Sequence, residues 1–271
     1  MIIPISQQEL EKHLPVAIDP SGNIFSYCES AFFLEENFLI DIFSENLLAS
    51  IVDKPIAFSV KRYIIAKGFA NSIHLLDLTL TQNGFAVTST EQQAPASKDR
   101  VAALRTASYN MAAFALDRVV SAIYANNELF GIWKESGNVY KIIKHFFFSI
   151  DDLAYIFPID KSSFVDNATY FSALDNLDNV VAPFISYDLI LHLIDATKEN
   201  SLSQKEKSLV TLIRKAYAAI SQKACVKTSL IPVLNFINAN LEDFPAFTNS
   251  SEYKSYSNTY ENKKDDSIFV F

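Results

Sequence analysis

The side chains able to do chemistry are few and scattered. His13, His74, His145 and His192 stand far from one another and from both cysteines. None opens an HExxH or another paired-ligand spacing, which a zinc site on one helix face requires, so each reads as a surface or core histidine. Cys28 and Cys225 are each alone, with no CxxC and no metal-ligand spacing, which fits a reducing compartment. Asp151-Asp152 reads as a helix start, where carboxylates meet the amide end of the dipole. Asp175, Asn176 and Asp178 form an acidic cluster without the glycine and terminal glutamate of a calcium loop, and read as solvated loop charge. Gly84, Gly131 and Gly137 belong to no GxGxxG or phosphate loop, and there is no GxSxG elbow. Five glycines in 271 residues leave few places where backbone can close on a substrate. The sequence therefore nominates no catalytic residue, no cofactor-binding residue, no metal ligand and no cofactor, and the chain does not read as an enzyme.

Charge narrows the partners. The net charge is −8, and no basic run exceeds two residues, whereas gripping phosphate needs a local excess of Lys and Arg. Lys98, Arg100, Arg105 and Arg118 share one long predicted helix. They read as a solvated face, with contact to nucleic acid or to an acidic partner as the alternative. The first residues, MIIPISQQELEKH, meet charge early and predict no secretory signal. No uncharged apolar stretch approaches the ~18 residues of a membrane span, so no membrane partner is expected. Twenty-two Phe and twelve Tyr are a heavy aromatic load, which core and subunit contacts share.

The elements that carry these residues are mostly helical. Ser6-Gln7-Gln8-Glu9 has the capping-box pattern and opens a short helix. Apolar residues recur at helical spacing from Tyr27 to Ile51, and again from Ile56 to Ile73 beyond a break at Asp53-Lys54-Pro55. Leu76–Thr81 alternates with period two, Gln82-Asn83-Gly84 supplies a hairpin turn, and Phe85–Thr90 returns. Ser97 then caps a long Ala-rich helix to Asn126, and Trp133 falls in a turn or short helix. Further helices are expected from Ser149 to Pro158, from Asn167 to Val181, from Tyr187 to Ala196, from Ser201 or Ser203 to Cys225, and from Ser229 to Ala239 with Pro232 in the first turn.

These elements predict a mainly α chain: a helical bundle with an inserted β-hairpin and an extended C-terminal arm. Residues 1–130 form an N-terminal helical block with the hairpin at about 76–90, and residues 131–245 a second block. Residues 246–271 form the arm, rich in Ser, Asn, Tyr and charge until it closes on Ile268-Phe269-Val270-Phe271. That run pairs with its own chain, adds to a neighbouring subunit or stays frayed. The blocks look alike: Ile65-Ala66-Lys67-Gly68-Phe69-Ala70 matches Ile213-Arg214-Lys215-Ala216-Tyr217-Ala218. Coincidence between two amphipathic helices and a duplicated hairpin both account for it.

Thr79–Val87 (T-x-x-G-F-x-V in its second half) followed by Ala94-Pro95-Ala96-Ser97-Lys98-Asp99-Arg100 resembles a family found in tailed phages and prophages of the Bacteroides group. The helical blocks and the D-x-x-I-F-x-F ending agree with it more loosely. The resemblance implies a structural virion protein, assembled in the host cytoplasm, that forms a ring as a head–tail connector or adaptor. Its implied partners are other copies of itself, the portal and other head–tail or tail proteins, with transient contact between genomic DNA and the ring lumen. It carries no catalytic residues to transfer. The protein-interaction candidates are Gln82, Asn83, Gly84 and Phe85 on the hairpin, and Ile268, Phe269, Val270 and Phe271 on the arm. The alternative is a cytoplasmic helical binding protein or a small-molecule enzyme, for which the sequence offers no paired nucleophile and base.

Overall fold

The computed structural model describes residues 1–14, 16, 24–76, 78–81, 84–87, 97–158 and 168–257, and they are mainly α-helical. In chain order the first helices are α1 (Gln7–His13), α2 (Ile24–Phe43), α3 (Glu45–Ile51) and α4 (Ala57–Ser72). Strands β1 (Leu78–Thr81) and β2 (Gly84–Val87) pair antiparallel, Leu78 opposite Val87 and Thr81 opposite Gly84. Residues 82–83 between them lie outside the described residues. Then come α5 (Lys98–Ala125), α6 (Asn127–Glu135) and α7 (Val139–Ile142). The later helices are α8 (Ile150–Ile156), α9 (Ala168–Ile185), α10 (Tyr187–Lys198), α11 (Gln204–Ser221), α12 (Val226–Asn238), α13 (Pro245–Thr248) and α14 (Ser251–Ser257).

The described residues up to Ile142 form one compact unit, and those from Ile143 onward a second. In the first unit α4 is sandwiched by α2 and α5. The face of α5 that is buried carries Ser108, Ala112, Ala115, Leu116 and Val119, mostly small residues that let a neighbouring helix come close. Gly68 does the same on α4: a Cβ there would fall 2.6 Å from Cδ1 of the buried Phe32 on α2. The division falls at 142/143 and not at 130/131, because α6 and α7 are tied to α2. Trp133 is fully buried against Phe43, its Nε1 donates to the carbonyl of Ile42 at 2.9 Å, and Lys141 Nζ donates to the carbonyl of Asp41.

Several boundaries depart from the sequence pattern. The helix expected over 27–51 is two helices, broken at Ser44, whose φ of 77° and ψ of 154° turn the chain while its side chain caps α3. Ser6 makes no side-chain cap; Glu9 is drawn away to Lys61 and His13. α9 continues through Pro183, and α12 starts at Val226, so Pro232 sits inside it and not in its first turn. Of the expected extended arm, Pro245–Thr248 and Ser251–Ser257 are helical, because Phe247 is buried and its ring packs 5.1 Å from that of Tyr253.

The two units repeat one plan. Each has a short helix (α1, α8), then a long one (α2, α9) that ends at a serine with positive φ. These serines are Ser44 and Ser186, at 77° and 95°, and each caps the next helix (α3, α10) by accepting from the amide three residues on. The following pair packs together in both, α4 on α5 and α11 on α12. The closing pair returns to the same places, α6 on α3 and α7 on α2, α13 on α10 and α14 on α9. The matching stretches 65–70 and 213–218 lie on α4 and α11, which are counterparts. Both units thus show the same order of seven helices, with β1 and β2 in the first unit only among the described residues.

A serine at positive φ with extended ψ occupies backbone space that costs about 1–3 kcal/mol for any residue but glycine. Ser44→Gly relieves that strain while losing the cap, whereas Ser44→Ala loses the cap, worth about 1 kcal/mol, and keeps the strain. Urea unfolding should therefore rank Ser44→Gly at or above the unaltered chain and Ser44→Ala below both.

Candidate interaction surface

The polar side chains that gather in each unit do so in its interior. On α2, buried Glu36 accepts from the Ile3 amide at 2.7 Å, which pins the segment ahead of α1. Next to it Glu35, also buried, accepts from Tyr63 Oη at 3.2 Å and from Asn71 Nδ2 at 2.8 Å, both on α4. The chain of bonds continues outward: Tyr109 on α5 donates to Asn71 Oδ1 at 2.7 Å, and Arg105 Nη2 donates to Tyr109 at 3.2 Å. Lys67 Nζ lies 4.6 Å from the centre of the Tyr109 ring. Burial raises the Glu35 carboxyl above its ordinary range, opposed by the Lys67 charge and by the bonds from Tyr63 and Asn71. Burial and the neighbouring Glu35 carboxylate push the Tyr63 phenol up.

The second unit has its own version. Asp178 stands eight residues before Ser186, as Glu36 stands before Ser44. It is on helix α9 with its side chain only 13% exposed, and is not solvated loop charge. Its Oδ2 takes a bond from His145 Nε2 at 2.8 Å, and Tyr217 on α11 donates to Oδ1. His145 Nδ1 accepts from the Phe147 amide at 3.3 Å, so the proton sits on Nε2. Phe146 and Phe147 pack against the imidazole, which is almost fully buried. With both ring nitrogens engaged, the pair fixes the segment before α8, as Glu36 fixes the segment before α1.

The remaining nominees separate. His13 is buried and its imidazole is held low chiefly by burial, against the pull of Glu9, whereas His74 and His192 are exposed. Asp152 accepts from Arg214 on α11 and begins α8 beside the Ser149 cap, the helix-start role expected of it. Among the described residues no group of three His, Cys, Asp or Glu is arranged to hold a metal ion. No described helix is long and apolar enough to cross a membrane. Lys98, Arg100 and Arg105 are exposed at the start of α5, beside a cavity of about 760 Å³ whose lining includes His74, Lys98, Arg105 and Tyr109.

Of the interaction candidates, Gly84 and Phe85 are placed by their backbone in β2, opposite Thr81 and Leu80. Gln82, Asn83, Ile268, Phe269, Val270 and Phe271 lie outside the described residues. What the sequence pattern missed is an apolar strip on α2. Tyr27 and Leu34 lie two turns apart on one face with Phe33 beside them, and all three are at least half exposed, Leu34 by 66%. Helical periodicity marks such residues as apolar but does not say which face the core takes.

Residues 28–143 match the model of a family of unknown function (DUF6712). The match begins within α2 and ends one residue beyond α7, so it follows the first unit and covers less than half of the chain. No curated protein and no solved structure matches the chain.

The buried Glu35 gives a pH signature. A carboxyl raised on folding adds stability that is full below its unfolded value near 4.5 and is lost as pH rises through the folded value. Glu35→Gln removes that titration. Urea midpoints should show the variant at its greatest disadvantage at about pH 4, the gap narrowing or reversing towards pH 7. A gap that does not change with pH would contradict this.

Proposed function

We propose that this chain is a structural virion protein, a ring-forming head–tail connector or adaptor that acts through subunit contacts and without catalysis. The observation that carries the reading is the exposed strip Tyr27, Phe33 and Leu34 on α2. Single exposed apolar residues are ordinary, but aromatic and aliphatic side chains grouped on one rigid helix mark a surface that another protein covers. The resemblance of residues 79–100 to phage proteins names the setting. In that setting the segment Gln82-Asn83-Gly84-Phe85, which joins β1 to β2, is a second contact. Most of the ionisable groups that converge are inside the units and already paired. Copies of a rigid helical body joined by such contacts close into a ring when the rotation between them closes.

The implied neighbours are the portal and other head–tail or tail proteins. The net charge of −8 suits a lumen that lets genomic DNA pass without gripping it. Native mass spectrometry should find one closed oligomer. Phe33→Asp combined with Leu34→Asp should reduce it to monomers with unchanged helical circular dichroism, and Asn83→Pro should weaken it. Particles purified from infected cells should contain the chain; its absence from them, or a monomer at all concentrations, would sink the reading.

A further inference from the structure

In the first unit the space bounded by the end of α2, by α5 and by α6 is closed by one side chain. Trp133 is fully buried there, between Phe43 at 5.3 Å and Phe130 at 6.4 Å, and bonded to the carbonyl of Ile42. In the second unit the matching aromatic is Phe247 on α13, buried and three residues after buried Phe244, as Trp133 comes three after Phe130, and its smaller ring leaves space beside it. Phe184 stands two residues before Ser186, as Ile42 stands before Ser44, and α13, a four-residue helix without tryptophan, takes the place of α6. At that place lies a cavity of about 600 Å³, walled by Phe184, Leu230, Leu234 and Phe247, with Tyr253 and Lys227 also lining it. It is mainly apolar and has room for more than one aromatic side chain.

We propose that the segment Ile268-Phe269-Val270-Phe271 of the same chain docks in this cavity, its phenylalanine rings covering the apolar wall beside Phe247. Three observations carry this. The cavity is walled mainly by apolar and aromatic side chains, so its complement is an apolar, aromatic segment, which 268–271 is. Charge is compatible: of Lys263-Lys264-Asp265-Asp266 the two acids stand nearest the apolar run, and exposed Lys227 lies on the cavity's edge. The tether favours the chain's own segment over a second copy's. Tyr253 lines the cavity from α14, which ends at Ser257, and the residues from there to Ile268 reach up to about 35 Å when extended. So short a connection holds the segment at an effective concentration on the order of millimolar. The inference is independent of ring formation: it assigns the segment to its own subunit and leaves the ring contacts to α2 and the hairpin.

The exposed thiol of Cys225, which caps α12 two residues before Lys227, supplies the test. The Thr228 amide draws that thiol below its ordinary value, which favours the reactive thiolate, while Cys28 is buried in the first unit. In the full chain, Ser267→Cys and, separately, Asp265→Cys are oxidised at low protein concentration and analysed by non-reducing gel and peptide mass. At least one should give a disulfide to Cys225 within a single chain. Adding Phe269→Asp and Phe271→Asp should lower its yield by about tenfold or more, as loss of a buried aromatic anchor does. A disulfide between chains would assign the cavity to another copy's segment and overturn the proposal. So would no link to Cys225 from either position, or a yield indifferent to the two aspartates.

Discussion

A carboxylate set into the inner face of a long helix cannot be left without donors, because burying an unpaired charge costs far more than a hydrogen bond returns. Glu36 on α2 and Asp178 on α9 are such groups, and each recruits its donor from the segment just ahead of its unit's first helix. The requirement fixes more than the pair itself. It decides where α1 and α8 begin, and it holds the long helix at a set depth, so that the serine eight residues on makes its corner in the same place. From that corner the direction of α3 and α10 follows. Glu35 and Tyr217 extend the rule to the next helix, since Tyr63 and Tyr217 are buried phenols whose hydroxyls need carboxylate acceptors and find them across the α4 and α11 contacts.

Much of the helical architecture was legible because amphipathic periodicity is strong in α9, α10 and α11, and because Ser97, Ser149 and Ser203 sit where an N-cap must. The corner at Ser44 was not. No glycine or proline marks it, the apolar spacing runs on across it, and serine rarely takes positive φ. Asp178 was misread for a related reason. Asp175, Asn176 and Asp178 are residues that favour loops, and they obscured Leu174, Leu177 and Val181, whose spacing is that of a buried helix face. The shared plan shows only as a six-residue likeness in the sequence, since what the units share is geometry and a few serines and acids, not a run of identical residues. A paired charge and a packed indole are three-dimensional facts, and no one-dimensional spacing announced Trp133 with Ile42 or His145 with Asp178.

The two units keep one plan and differ in detail. Among the described residues only the first unit has β1 and β2, between its fourth and fifth helices, and there Trp133 fills the space that α2, α5 and α6 enclose. The second keeps the same helix order, with α13 shorter than α6 and a hollow beside it. The features proposed for contact therefore belong to where the copies differ, whereas the buried carboxylates and serine corners belong to where they agree.

Trp133 is the chain's only tryptophan, and it is enclosed by Phe43 and Phe130 with its indole nitrogen engaged. The intrinsic ultraviolet emission of this protein is thereby a property of one half of it. Light absorbed by that indole reports the first unit's interior, while the second unit, rich in phenylalanine and tyrosine, is nearly silent at those wavelengths. A fluorescence melt and a calorimetric melt would view different halves of the same molecule, and the difference between them would measure how independently the two copies unfold.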